Sequence, residues 1–253
     1  IGDSTAISTI QWQTLSKTGT NHLFVISGLH IGLVGSLVYK VLGLLPLPIV
    51  ARSTSTLLLI GLYAALAGWG LPVQRAFVMA AVVVVARSLR RNVSATTMYC
   101  SALFAVLLIE PFAVLSIGFW LSFAAVFSLM YAFSCRRPLI NGVLTSAIHT
   151  QWAVYLGMLP WMLYLLYQLS WSSFLVNIVA IPWIGIFVIP LLLMAMIVGF
   201  AMPAVGSIGI ALCGKLLALI WVGIEWAAGF DLVFYRSPPT ELLFAFAIVG
   251  VLV

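Results

Sequence analysis

The sequence predicts an all-α bundle of membrane-crossing helices, and three observations carry that expectation. Apolar residues make up 64% of the 253 positions and charged residues 6%, against about 25% charged in an ordinary water-soluble domain. The apolar residues are gathered into long runs, several approaching the ~20 residues a helix needs to cross about 30 Å of hydrocarbon. Strand-type alternation is missing, and an open sheet in lipid would leave backbone groups unpaired. The same composition excludes a secreted disulfide scaffold, a disordered tail and a cytosolic enzyme.

In chain order, residues 1–21 come first and are polar for their surroundings. Within Asp3–Asn21, Ile7, Ile10 and Thr14–Leu15 fall at helical spacing, so the stretch reads either as an amphipathic helix lying in the interface or as a plain loop. Leu23–Leu45 is the first predicted span and Thr54–Gly68 a short second. Pro72–Ser88, Ser94–Ile109, Phe112–Phe133 and Ser146–Tyr167 are the third to sixth. Ser172–Gly199 is the seventh, long and interrupted by Asn177, Pro182 and Pro190. Val205–Gly229 is the eighth, and Glu241–Val253 resembles the opening of a ninth. The chain opens at Ile1 without a signal-peptide pattern and stops at Val253 in an apolar run, so it reads as a piece of a longer protein.

If every span crosses, Lys40, Arg52, Arg87, Arg90, Arg91, Arg136 and Arg137 share one side with no acidic residue. The other side holds Asp3, Lys17, Glu110, Asp231, Arg236 and Glu241. The basic side is expected to be cytoplasmic, which starts the chain outside. Trp69, Tyr167, Trp171 and Tyr235 then fall at outer-face ends, where an aromatic belt belongs.

Few residues in such a chain can carry chemistry. Arg75 sits a turn inside the third span, where a cation costs about 2.5–3.5 kcal/mol on insertion scales and needs a partner or a wet cavity. Glu225 and Glu110 are its candidate partners. Lys215, mid-span in the eighth segment, needs water, a carbonyl or an anion, and with Arg75 would make a positive track for a polyanion. The plainer reading of Arg75 and Glu225 is a structural ion pair or snorkelling. Ser27 and His30 lie three apart on one predicted helix face, beside His22, and could in principle be nucleophile and base. Gly28, Gly32 and Ser36 form a small-residue strip that suits close helix packing. Trp120, Phe123 and Phe127 make an aromatic stripe beside Phe119, available for base stacking or for ordinary packing. Asn177 and the two prolines mark a broken helix of the kind that often lines a pathway, or a plain kink. His149 with Gln151 reads as packing. Cys100, Cys135 and Cys213 are scattered with no CxxC, which argues against a zinc site or a disulfide framework. The sequence contains no P-loop, GxGxxG, HExxH or GxSxG, so no metal, nucleotide or other cofactor is expected.

The string His22-Leu-Phe-Val-Ile-Ser27-Gly28-Leu29-His30-Ile-Gly32 resembles the signature of the ComEC competence family. Arg75-Ala76, Gly118-Phe119-Trp120-Leu121-Ser122-Phe123-Ala124-Ala125, Leu159-Pro160, Asn177 and Ile181-Pro182 follow in the same order, so the resemblance covers residues 1–253. It corresponds to the family's membrane domain. The OB-like and metallo-β-lactamase-like domains that members usually carry are not in this sequence. The resemblance implies a channel in the cell inner membrane that passes single-stranded DNA during natural transformation, not an enzyme, working beside a DNA receptor and a cytoplasmic motor. It implies a helix lying along the membrane ahead of the channel, which fits Asp3–Asn21, and it places His22, Ser27, Gly28, His30 and Arg75 in the family's core pattern. Two other readings stay open on the residues alone: a secondary transporter using Arg75, Glu225 and the broken segment, and an intramembrane hydrolase using Ser27 and His30.

Overall fold

The computed structural model describes residues 7–25, 27–89, 93–134, 143–166, 169–230 and 233–234. Those residues are helical except for turns and one two-residue antiparallel pairing, β1 (Leu169–Ser170) with β2 (Val233–Phe234). The all-α expectation holds.

Helix α1 (Thr9–Thr18) begins at a capping box. The Gln11 amide donates to Ser8 Oγ at 3.3 Å and the Ser8 amide to Gln11 Oε1 at 2.9 Å, so two otherwise orphaned donors are satisfied. It stops at Gly19, whose φ of +65° is the left-handed conformation glycine adopts without penalty. Leu15 and Thr18 are fully buried. The Ser170 and Ser172 hydroxyls both donate to the Lys17 carbonyl, pinning the end of α1 to the bundle. Ile10, by contrast, is exposed.

The predicted span Leu23–Leu45 is interrupted. It divides into α2 (Asn21–Phe24) and α3 (Gly28–Leu42), with Val25 and Ser27 in extended conformation. Next, α4 (Ile49–Leu66) starts five residues before the expected Thr54 and so includes Arg52. That cation is tolerated because its Nε donates to the Tyr39 carbonyl at 2.7 Å and its guanidinium stacks 3.7 Å from the Tyr39 ring centroid. Helices α5 (Leu71–Ser88), with Pro72 in its first turn, and α6 (Ala95–Ile109), capped by Ser94, match the expected spans closely. The predicted fifth span splits into a 3-10 turn (Pro111–Leu115) and α7 (Ile117–Ser134). Helix α8 is Val143–Leu166. The long seventh segment runs from α9 (Ser172–Pro182) through a π-helical stretch (Trp183–Val188) into α10 (Ile189–Ala201), and α11 (Pro203–Ala228) follows.

Five of these helical stretches are long and apolar enough to cross a membrane: α4, α5, α7, the continuous α9–α10 stretch and α11. At 15 residues each, α3 and α6 are apolar but reach only about 22 Å at 1.5 Å per residue. Helix α8 is long, but its first turns carry Thr145, Ser146, His149, Thr150 and Gln151. Of the eight spans expected from sequence, one of them short, the described residues show five full-length candidates plus shorter or more polar helices. The expected ninth, Glu241–Val253, lies outside the described residues.

The core joins α2, α3 and α4 to the α9–α10 segment through Leu23, Val34, Ile60, Ala180, Ile184, Val188 and Ile189. A second cluster, Val106, Ala113, Phe119 and Phe123, ties α6 to the 3-10 turn and α7. Helices α3, α4 and α5 run up, down and up. Their ends therefore sort into two groups. Tyr39, Arg52 and Arg87 meet at one end, with Arg87 5.7 Å from the Tyr39 ring. The other end gathers the starts of α3, α5 and α7 with the end of α6, and it holds Arg75.

Candidate functional site

Arg75 lies in the second turn of α5 and is 4% exposed. Its Nε is buried with no hydrogen-bond partner among the described residues. The tip of the guanidinium occupies the space that a side chain at position 118 would fill: a Cβ there would lie 2.9 Å from Arg75 Nη2. A side chain at position 118 would therefore make the guanidinium tip move aside. Glu110, the residue that ends α6, is within electrostatic reach of Arg75. Glu225, the other partner considered from sequence, is exposed on α11 and accepts from Trp221 Nε1 at 2.6 Å. Glu110 is therefore the neighbouring carboxylate.

Just before Arg75 the chain makes a tight turn that the sequence reading did not single out. Gly68 has φ +89° and Trp69 φ +51°. The second is unusual for a bulky residue and costs roughly 1–2 kcal/mol. Gln74 Nε2 holds the turn by donating to the Trp69 carbonyl at 2.8 Å, and the Trp69 ring leans on Phe77. The Gly68-Trp69-Gly70-Leu71-Pro72 string is the signal that could have found it.

The Ser27–His30 pair sits at the same end, because Gly28 packs against Ala76, the residue after Arg75. Ser27 is not on a helix face with His30. It is the extended N-cap of α3, and His30 is the third residue of that helix. His30 Nδ1 lies 3.1 Å from the Ser27 amide and 3.1 Å from Ser27 Oγ. Accepting the amide N–H requires an unprotonated Nδ1, so the proton of the neutral ring is on Nε2. The pair is a capping-box arrangement with a histidine where a Glu or Gln is usual. His22 is exposed on α2, within electrostatic reach of His30.

The remaining predicted residues divide. Gly28 makes the close approach expected of it, whereas Gly32 has nothing within 4 Å, and the unpredicted Gly35 is the one that meets Ile60 of α4. Asn177 is 6% exposed on α9, and its Oδ1 is buried without a partner among the described residues. Its helix lies against α1, where Gly19 leaves room for Ser173. Phe119 and Phe123 are packed in the core with ring centroids 4.8 Å apart, so neither offers an open face. Trp120 is 39% exposed and stacks on Trp161 of α8 at 5.5 Å and 13°. Lys215 is exposed on the outward face of α11 between Leu212 and Leu219. Cys213 is buried and Cys100 exposed, and no group of three or more His, Cys, Asp or Glu that could hold a metal occurs among the described residues.

The family described as Competence protein matches residues 1–253. The chain belongs to that family. It is 37% identical over 211 residues to Competence protein ComA of Neisseria gonorrhoeae, covering 79% of this chain and 30% of that protein. It is 30% identical over 212 residues to Recombination protein 2 of Haemophilus influenzae, covering 77% of this chain and 27% of that protein. ComE operon protein 3 of Bacillus subtilis is 28% identical over 190 residues, covering 75% of this chain and 24% of that protein. The chain thus spans less than a third of the length of these relatives. No solved structure matches it. Within this multi-pass membrane domain of the Competence family, the Arg75 end is the place where buried charge, tight backbone and the His/Ser cap converge.

Proposed function

We propose that this domain is the path by which a single DNA strand crosses the cytoplasmic membrane. The observation that carries the reading is Arg75: a buried cation in a membrane helix, with an Nε unpartnered among the described residues and the Glu110 carboxylate within electrostatic reach. A membrane protein keeps such a group where it meets a wet path or an anion, and a nucleic-acid strand presents an anion at every residue. The names of the relatives, a competence protein and a recombination protein, support DNA as the cargo. Family resemblance supports a DNA receptor outside and a motor inside as partners.

The domain acts as a conduit and carries out no bond chemistry. In the orientation favoured by charge, the end with Tyr39, Arg52 and Arg87 faces the cytoplasm. The Arg75 end then faces outward and receives the strand, with α1 docked beside it along the membrane surface. His22, Ser27 and His30 lie at the mouth, where the Ser27–His30 cap fixes the first turn of α3. Trp120 is the exposed ring there on which a base can stack.

The test is delivery of labelled DNA to the cytoplasm of competent cells lacking the native protein. They are complemented with the full-length protein carrying this domain, as wild type or Arg75→Ala, with membrane levels matched by blot. Wild type restores cytoplasmic DNA and Arg75→Ala does not. If wild type fails while DNA still reaches the membrane's outer face, the assignment is wrong.

A secondary transporter for a small solute or ion is the second reading, favoured by the π-helical stretch between Pro182 and Pro190, since such turns recur at functional sites. It predicts proton-linked solute flux in liposomes. An intramembrane hydrolase predicts loss of an activity on Ser27→Ala and labelling of Ser27 by a serine-reactive probe.

A further inference from the structure

Helix α7 begins where Arg75 ends. The 3-10 turn Pro111–Leu115 delivers the chain to Ser116, and α7 starts at Ile117 with 18 residues behind it. Ser116 takes the Phe119 amide with both its hydroxyl, at 3.2 Å, and its carbonyl, at 3.1 Å. The Ile117 and Gly118 amides, which precede it, lie in the first turn of α7, where a helix leaves its amides without an intrahelical acceptor. These are the orphan donors of a helix start, and the helix dipole adds partial positive charge to them. Against this same turn lies the side chain of Arg75, a residue 4% exposed, with Nε unpartnered among the described residues and the guanidinium tip in the space opened by Gly118.

Two positive features brought together in a poorly hydrated place repel each other. The arrangement is favourable only with negative charge between or beside them. Glu110 supplies one such charge from the end of α6. Among the described residues it leaves Nε without a hydrogen bond. A tetrahedral oxyanion has oxygens enough for both donors at once: the guanidinium can take two and the helix start another.

We infer that the first turn of α7, Gly118 and Arg75 form a binding site for one phosphate oxyanion, which exchanges with Glu110 as the partner of Arg75. Gly118 keeps the site open, because any side chain there would displace the guanidinium. Glu110 keeps the empty site neutral and makes binding reversible, a property a conduit needs if each phosphate is to leave as the next arrives. That the phosphate belongs to a DNA strand rests on the proposed function. The oxyanion site itself does not.

The experiment uses the full-length protein in nanodiscs of zwitterionic lipid and three probes: inorganic phosphate, a short fluorescent single-stranded oligonucleotide, and nanodiscs containing an anionic phospholipid. Variants are Arg75→Gln, Gly118→Ala and Glu110→Gln, each checked for elution profile and unfolding midpoint. Oligonucleotide affinity is expected to fall about tenfold or more in Arg75→Gln and Gly118→Ala, the loss of a charged hydrogen bond. The log–log salt slope should shrink by about 0.7, one phosphate contact on a single strand. Glu110→Gln should bind more tightly than wild type, a gain that misfolding cannot produce. Inorganic phosphate should compete in wild type and lose that ability in Gly118→Ala. If phosphate binding depends on Arg75 but the oligonucleotide does not bind, the oxyanion site stands and the DNA path falls. If anionic lipid abolishes phosphate binding, the site stands with a lipid headgroup as its ligand. If the affinities and salt slopes of all three variants equal wild type, the site is refuted.

Discussion

Arg75 gains its character from what surrounds it, and single side chains decide how much of that survives substitution. The Ser27–His30 cap makes the clearest stability case. Ser27→Ala removes the Oγ contact to His30 while leaving the backbone one. Loss of an N-cap side chain costs about 0.5–2 kcal/mol, so a lowered unfolding midpoint in detergent micelles is expected, with the His30→Ala variant affected at least as much. Equal midpoints would mean that the cap contributes nothing. Arg75 itself was legible in the sequence, because a cation inside an apolar run needs an explanation wherever it points. Its partner was not. Spacing along one helix cannot choose between Glu110 and Glu225 on two others, and only the packing of α5 against α6 and α7 selects Glu110. The aromatic stripe divides for a related reason: Phe119, Trp120, Phe123 and Phe127 are alike in sequence, yet Phe119 and Phe123 are buried while Trp120 and Phe127 are exposed.

Helix ends, more than helix interiors, separate the expected elements from the observed ones. The breaks at Val25–Ser27 and at Pro111–Ser116 fall inside apolar runs, where hydropathy gives no boundary. Both are set by local chemistry, a serine cap in the first case and a proline after Glu110 followed by a serine cap in the second. The α9–α10 segment was legible as irregular from Pro182 and Pro190, but not as a π-helical stretch. Trp183 holds that stretch to α11 by donating Nε1–H to the Leu216 carbonyl at 3.0 Å. Trp183→Phe keeps the ring and removes the donor, and about 1 kcal/mol of stability should go with it; an unchanged unfolding midpoint in nanodiscs would remove the tether. Helices α10 and α11 meet through Gly199, Gly206 and Gly209, with Gly206 pressed on the backbone of Gly199 and Ala195. Gly206→Leu should pry them apart and lower the folded yield in membranes, whereas Gly214→Leu, whose site has nothing within 4 Å, should not.

At the scale of the whole molecule, the two ends of the bundle differ in kind. One gathers Tyr39, Arg52 and Arg87, and the other gathers Arg75, Glu110, the Ser27–His30 cap and the start of α7. Sequence order alone separated these groups, because alternating spans send alternate loops to opposite sides. The orientation of the pair is testable by cysteine accessibility in a background where Cys100, Cys135 and Cys213 are replaced by alanine. Leu44→Cys should react with a membrane-impermeant thiol reagent only from the cytoplasm, and Leu115→Cys only from outside; the reverse pattern would invert the domain. The central claim is that the DNA strand passes the Arg75 end. A photo-crosslinking amino acid placed at Trp120 tests it most directly, with the same substitution at Leu219 on the outward face of α11 as the comparison, in competent cells caught during uptake. The account predicts crosslinks to incoming DNA from position 120 and none from position 219. Uptake at the normal level with no crosslink at 120, or with equal crosslinks at both positions, would contradict it.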